Sequence, residues 1–310
     1  MSFQKLFDKL GLRGARWTWR ATRWDSRLQQ WKNLFRSERE QMGYKHKFCP
    51  SCGALINRSE KTCPHCNART EAWETQVAGR VLYRFLPQQF PVTGALIGVN
   101  LLIFVLGLMV GDEDAFMMVP EKFHFLAMFP PAFAGGEFWR VITHGYLHHG
   151  AMHILFNVFA LLLAGRQVEP EIGSAKFFCV YTVSLIGGGL LTALAGTPQQ
   201  VMAGASGAVF GLLGFGAAFG HRYGGAHGTM LRDFMLRWIF FATLFSVFVA
   251  NISHTGHFGG LVPGAAMGWW LAGRPARLKP RVLLWNRAAR AALILTAGAF
   301  IWALARLLLR

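Results

Sequence analysis

Gly204-Ala205-Ser206-Gly207, running directly into the apolar stretch Ala208-Val209-Phe210-Gly211-Leu212-Leu213-Gly214-Phe215-Gly216-Ala217-Ala218-Phe219, decides how this chain is read. The polar loop Gly196-Thr197-Pro198-Gln199-Gln200 lies just before it. A helix starting here has a serine at its mouth and small residues along its length, which lets a neighbouring backbone come close. Ser206 therefore has two readings. Either Gly, Ser and Ala only allow tight packing, or the hydroxyl is a nucleophile, and then a base and oxyanion donors must come from elsewhere in the chain.

The surrounding composition is that of a helical membrane protein. The 310 residues are 53% hydrophobic and 15% charged, with 27 Phe and 11 Trp, and several apolar runs approach the roughly 20 residues that span hydrocarbon. Seven such runs fall at about 91–110, 152–164, 177–195, 205–220, 234–252, 257–272 and 289–309. The expected fold is an all-α polytopic bundle of six transmembrane helices plus one C-terminal transmembrane helix, preceded by a small metal-binding module. Residues 1–45 form a basic amphipathic segment, 46–72 the metal module, 73–90 a linker, 91–275 the six-helix core, and 276–310 a basic linker and the seventh helix.

The net charge of +17 is unevenly spread. Basic residues crowd the first 90 positions, the loop after the fourth run (Arg222, Arg232, Arg237) and the loop after the sixth (Arg274, Arg277, Lys279, Arg281, Arg287). Positive loops stay in the cytoplasm, so the N-terminus is expected inside and the acidic stretch Asp112-Glu113-Asp114 outside. Ser206 and His257 then open their helices at the same, outer level. The N-terminus is charged throughout, and no cleavable leader is expected.

Near that N-terminus Trp17, Trp24, Leu28, Trp31 and Phe35 recur at helical spacing among Arg13, Arg16, Arg20, Arg23 and Arg27. This face suits anionic lipid headgroups; nucleic-acid contact and packing on the metal module are the competing readings, and no nucleic-acid partner is expected. Cys49-Pro50-Ser51-Cys52 and Cys63-Pro64-His65-Cys66 are two knuckles that each aim two thiolates at one ion. Cys49, Cys52, Cys63 and Cys66 fill a tetrahedral site with sulfur, which implies a structural Zn2+ with no open position for catalysis. The segment resembles a zinc ribbon, with a protein partner left open.

The base expected for Ser206 is His257. Glycines at 256, 260, 264 and 268 answer Gly207, Gly211 and Gly214, and such close-packing stripes would carry the imidazole to within about 3 Å of the hydroxyl. No carboxylate is near enough in sequence to be assigned as a third member, so the arrangement is read as a dyad, with Phe210 one turn below Ser206 as a stacking surface. His254 is the rival base. His153 and Asn157, four apart on one helical face, supply N–H donors for an oxyanion. A lone histidine in a span can equally bridge helices, but Ser, His, His and Asn on one side of a bilayer favour a site. His144, His148 and His149 cluster nearby, without the carboxylates a second metal would want.

Glu137-x-Trp139-Arg140, His153-x-x-x-Asn157, Gly204-x-Ser206-Gly207 and His257-x-Gly259-Gly260, in that order on six spans plus one, resemble the rhomboid family of intramembrane serine proteases. Gly165, Glu169 and Gly173 also match that family's turn between its second and third helices. The similarity covers about residues 85–275. It implies cleavage of transmembrane protein substrates in or beside their membrane helix within the lipid bilayer, with Ser206 as nucleophile, His257 as base, His153 and Asn157 in the oxyanion hole, and Glu137, Trp139 and Arg140 bracing the first loop. No cofactor is implied for catalysis. The chain departs from the family by carrying Phe210 where some members have Tyr, and by its N-terminal extension. The expected location is a bacterial inner membrane, with the site opening outward. Two other functions compete: a catalytically silent rhomboid-like protein that binds transmembrane helices, and a transporter with a cytoplasmic zinc-binding domain.

Overall fold

The computed structural model describes residues 7, 14–34, 46–48, 55–57, 60, 62–65, 89–110, 119, 121–248, 252–272 and 279–309. The chain divides into two compact units, Met1–Ala72 and Trp73–Arg310. In the first unit, α1 (Ala15–Leu34) follows Gly14, and β1 (His46–Phe48) pairs antiparallel with β2 (Leu55–Asn57), Phe48 opposite Leu55. Trp19 and Trp24 on α1 are exposed, and Arg23 lies over the Trp19 ring. The side chains of Leu28 and Trp31, and residue Phe35, lie outside the described residues. So do Cys49, Cys52 and Cys66 of the expected metal site; Cys63 is described and buried. Among the described residues, no group of three or more His, Cys, Asp or Glu side chains is placed to hold a metal ion.

The second unit is a helical bundle. Its long helices are α2 (Pro91–Val110), α5 (Gly150–Ile172), α6 (Ser174–Ala195), α7 (Ser206–Tyr223), α8 (Gly225–Phe248), α9 (His254–Ala272) and α10 (Lys279–Leu308). The connection between α2 and α5 holds a 3-10 turn at Glu121–Leu126, α3 (Pro130–Ala134), α4 (Arg140–Thr143) and a second 3-10 turn at His144–Tyr146. Among the described residues, four helices are long and apolar enough to cross a membrane: α2, α5, α6 and the Leu283–Leu308 part of α10. In α7, α8 and α9 the apolar composition is diluted by Gly, His and Arg. For α7 the physical reason is its position, since Gly207 to Ala217 is buried throughout and faces protein on all sides.

The core gathers around α6 and α7, where Phe177, Tyr181, Leu185, Leu212 and Phe215 are almost inaccessible. Helices α2, α8 and α10 instead turn side chains such as Leu102, Phe241 and Ile294 outward, as lipid-facing helices do. The start of α2 is tied to the end of α5 by one buried carboxylate. Glu169 accepts the backbone N–H groups of Val92 (2.9 Å) and Thr93 (2.8 Å) and the hydroxyls of Thr93 (2.7 Å) and Ser174 (2.7 Å). It thereby satisfies two amides that the first turn of a helix leaves unpaired, with its charge at the favourable end of the dipole.

Glycine sets the approach of α7 to α9. A Cβ on Gly260 would overlap the Gly207 carbonyl, and one on Gly264 would overlap that of Gly211. The two backbones are therefore in direct contact along the stripes read from the sequence.

Candidate active site

Ser206 is the first residue of α7, and the chain leading into it is held from two directions. Met128 and Met202 exchange N–H···O bonds of 2.9 and 2.8 Å as an isolated antiparallel bridge. The Gly204 N–H donates to the His144 carbonyl at 2.9 Å. Gly204 has φ +129°, a conformation that strains any side chain, and a Cβ there would stand 2.6 Å from Cε1 and 3.1 Å from Nε2 of His153. The turn into Ser206 thus lies directly on the His153 imidazole.

Helix α9 begins beside the same turn. Ser253 caps it by accepting the Gly256 N–H at 3.0 Å. Its Oγ is also 3.3 Å from Thr192 Oγ1, which joins the first turn of α9 to the end of α6. In that turn His257 is half-buried and stacks on Phe210, centroids 4.1 Å apart and planes at 14°. His254 is exposed at the helix start. Gly207, the neighbour of Ser206, packs on the carbonyl of Gly256, the neighbour of His257. One helix crossing therefore brings the chain neighbours of Ser206 and His257, which the sequence places 51 residues apart, into backbone contact.

His153 and Asn157 lie on α5 in the first turns after the loop. His153 Nδ1 accepts the His149 backbone N–H at 3.2 Å, which assigns the proton of a neutral ring to Nε2, the nitrogen nearer Gly204. Asn157 Nδ2 donates one hydrogen to the His153 carbonyl at 2.9 Å and retains a second. The His153 ring thus lies against the turn that leads into Ser206, with Asn157 bonded to its backbone.

The loop ahead of α5 is braced by the residues read from the sequence. Arg140 Nε donates to Glu137 Oε2 at 2.6 Å, and Nη1 donates to the carbonyls of His124 (2.6 Å) and Ala127 (2.5 Å). Trp139 Nε1 donates to Phe125 O at 2.9 Å. The sequence reading missed Thr143, whose hydroxyl donates to Leu126 O at 2.7 Å, and the structural part played by His144. That ring donates from Nδ1 to Arg140 O at 2.8 Å, while its carbonyl holds Gly204. Burial pushes the His144 imidazole down to about 4, so the ring is neutral at ordinary pH. Fixing residues 124–127 fixes Met128, and through the bridge to Met202 it fixes the approach to Ser206.

Residues 135–274 match the family described as Rhomboid domain. The matches support the rhomboid family. Rhomboid-like protease 1 of Toxoplasma gondii is 33% identical over 182 residues, covering 57% of this chain and 61% of that protein. The rhomboid protease GlpG of Photorhabdus laumondii is 32% identical over 144 residues, 43% of this chain and 48% of that protein. RHOMBOID-like protein 5 of Arabidopsis thaliana is 31% identical over 156 residues, 45% and 46%. The chain thus spans about half to three fifths of the length of these relatives. The rhomboid match takes in every residue described above from Glu137 to His257, and leaves out α10 and the first unit. Together with the apolar helices it makes the chain an integral, multi-pass membrane protein.

Proposed function

We propose that this chain is an intramembrane serine endopeptidase that hydrolyses a peptide bond in or beside the transmembrane helix of a membrane-protein substrate. The observation that carries the reading is the α7–α9 crossing, where Gly207 meets Gly256 and Gly260 and Phe210 supports His257. His257 removes the Ser206 hydroxyl proton as Oγ attacks the scissile carbonyl carbon. The oxyanion so formed accepts N–H groups from His153 Nε2, the free hydrogen of Asn157 Nδ2 and the Ser206 backbone. His257 then gives its proton to the leaving amine, and a water that it deprotonates releases the acyl group and restores the serine. Phe210, packed flat on the ring, fixes the imidazole orientation that a carboxylate fixes in a triad.

A substrate helix ties its carbonyls into its own hydrogen bonds, so it must unwind before attack. Substrates with Gly or Pro near the scissile bond and a small residue just before it suit that requirement. Access beside α8 is favoured by its contact with α5, which rests on the ring pairs Phe156–Phe245 (5.1 Å) and Phe159–Trp238 (5.7 Å). Crosslinks from bound substrate to other helices alone would count against that route. The basic loops favour a cytoplasmic N-terminus and a site opening outward, in a bacterial inner membrane.

In the first unit, β1 and β2 flank the Cys49-x-x-Cys52 knuckle, and Cys63 is buried. Two paired strands that flank one Cys-x-x-Cys in sequence, with a buried thiol from the second motif, fit a zinc ribbon, with Cys49, Cys52, Cys63 and Cys66 holding the ion. Zinc there would supply folding stability and leave no open position for catalysis. Metal analysis of the purified chain should find about one zinc, lost in Cys49→Ser plus Cys63→Ser; a metal-free wild type refutes the site.

The protease reading is tested by cleavage of a transmembrane reporter reconstituted with the full chain. Wild type should cut it, and Ser206→Ala and His257→Ala should not; normal cleavage by Ser206→Ala sinks the proposal.

A further inference from the structure

Helix α10 lies outside the matched domain, and most of its surface is exposed, Ile294, Ile301 and Leu304 among it. One stripe faces inward instead: Thr296, Phe300 and Ala303, at positions i, i+4 and i+7 of the helix. Ala303 has no accessible surface and belongs to a buried cluster with Leu126, Ala127, Trp139, Leu147 and Ala203. Phe300 meets the Tyr146 ring edge-on, centroids 5.5 Å apart. The Tyr146 hydroxyl lies near the Thr296 side chain, whose own hydroxyl donates to Ala292 O at 2.9 Å.

The buried cluster that takes in Ala303, and the ring that Phe300 meets, include residues that place the site. Ala127 and Trp139 belong to the braced loop, and Tyr146 and Leu147 follow His144, whose carbonyl holds Gly204. Ala203 immediately precedes Gly204. The geometry points to α10 as a positioning element for catalysis: Thr296, Phe300 and Ala303 clamp the loop and the turn that set Ser206 against His153. The inference rests on the protease reading above. These three residues are positioning residues, acting through the backbone at 203–206 and 144–147. A clamp of this kind governs kcat, because a misplacement of a fraction of an ångström at the reacting atoms is enough to slow the chemical step. Substrate access beside α8 is left as it was, so KM is unaffected.

The test uses the full chain in liposomes with a transmembrane reporter, measuring kcat, KM and the rate at which a fluorophosphonate labels Ser206. Ala303→Leu, which adds bulk where no space exists, should lower kcat and the labelling rate tenfold or more with KM within twofold. Tyr146→Phe and Thr296→Val should each lower kcat about threefold, and the double variant should fall no further, since both remove the same polar contact. Ile301→Phe, on the exposed face, should keep wild-type values. If Ala303→Leu does not fold, the two hydroxyl variants decide the matter. Wild-type kcat in Tyr146→Phe and Thr296→Val, wild-type kcat in a folded Ala303→Leu, or a change confined to KM overturns the clamp. A wild type that neither cuts the reporter nor labels at Ser206 overturns the protease reading instead.

Discussion

Gly260→Ala is the most exacting perturbation of the α7–α9 crossing. Its Cβ would lie 2.6 Å from the carbonyl carbon and 3.1 Å from the Cα of Gly207, whereas unbonded carbons settle at about 3.5–4.0 Å. The atoms it meets are backbone, so no rotamer change gives relief, and the helices must part by about 1 Å. Overpacking of this kind costs about 1–3 kcal/mol of stability. The larger effect is on geometry, because Ser206 and His257 ride on the two helices that separate, and a misplacement of about 1 Å lowers turnover by about a hundredfold. The assay is kcat on a transmembrane reporter in liposomes, beside thermal unfolding. Gly98→Ala on α2, where a Cβ meets nothing within 4 Å, is the control and should keep activity and gain up to about 1 kcal/mol. Gly260→Ala with kcat within threefold of wild type, or an equal loss in Gly98→Ala, refutes the reasoning.

Other sites give distinct expectations. His153→Ala should reduce kcat by about a hundredfold or more with little change in KM if, as proposed, its Nε2–H serves the oxyanion and not the ground state; a loss seen only in KM contradicts the assignment. Arg140→Ala removes the buried bonds to Glu137 and to the carbonyls of His124 and Ala127 and should destabilise by about 3–5 kcal/mol in denaturant unfolding, more than Glu137→Gln, which keeps the two carbonyl bonds. His144 has a folded pKa of about 4 against an ordinary value of 6.5, so between those limits the unfolded chain binds a proton that the folded chain does not. Stability from the neutral ring is complete above about pH 6.5 and is lost as pH falls toward 4. His144→Asn should therefore flatten that limb of a plot of unfolding temperature against pH, and an unchanged limb would contradict the buried neutral ring.

Among the described residues, the apolar runs made the long helices of the bundle legible, but not their ends. Helix α8 starts at Gly225 and not near Phe234, and α10 starts at Lys279 and not near Ala289. In both cases the helix continues through Arg and His residues, at which a reading by hydrophobicity stops although backbone hydrogen bonding does not. The Ser206, His257, His153 and Asn157 set is proposed from the sequence because intramembrane polar residues are few, and the glycine spacing told which helices could touch, as the α7–α9 backbone contact shows. The support beneath it was not legible. The Met128–Met202 bridge, the His144 carbonyl on Gly204 and the Thr192–Ser253 contact are made by backbone atoms and common hydroxyls across long sequence separations, and no residue pattern marks them. The inward stripe of α10 was hidden for the opposite reason, since Ala and Phe in an apolar helix look the same whether they face lipid or protein.

The account stands most directly on whether Ser206 attacks a peptide bond in the bilayer. Purified chain and a transmembrane reporter with a Gly-containing helix, reconstituted together, allow the products to be sized by mass spectrometry. Wild type should yield two fragments from one cut within or beside the membrane segment, and Ser206→Ala should yield none. The same fragments from Ser206→Ala, or no fragments from a folded wild type across several such reporters, would contradict it.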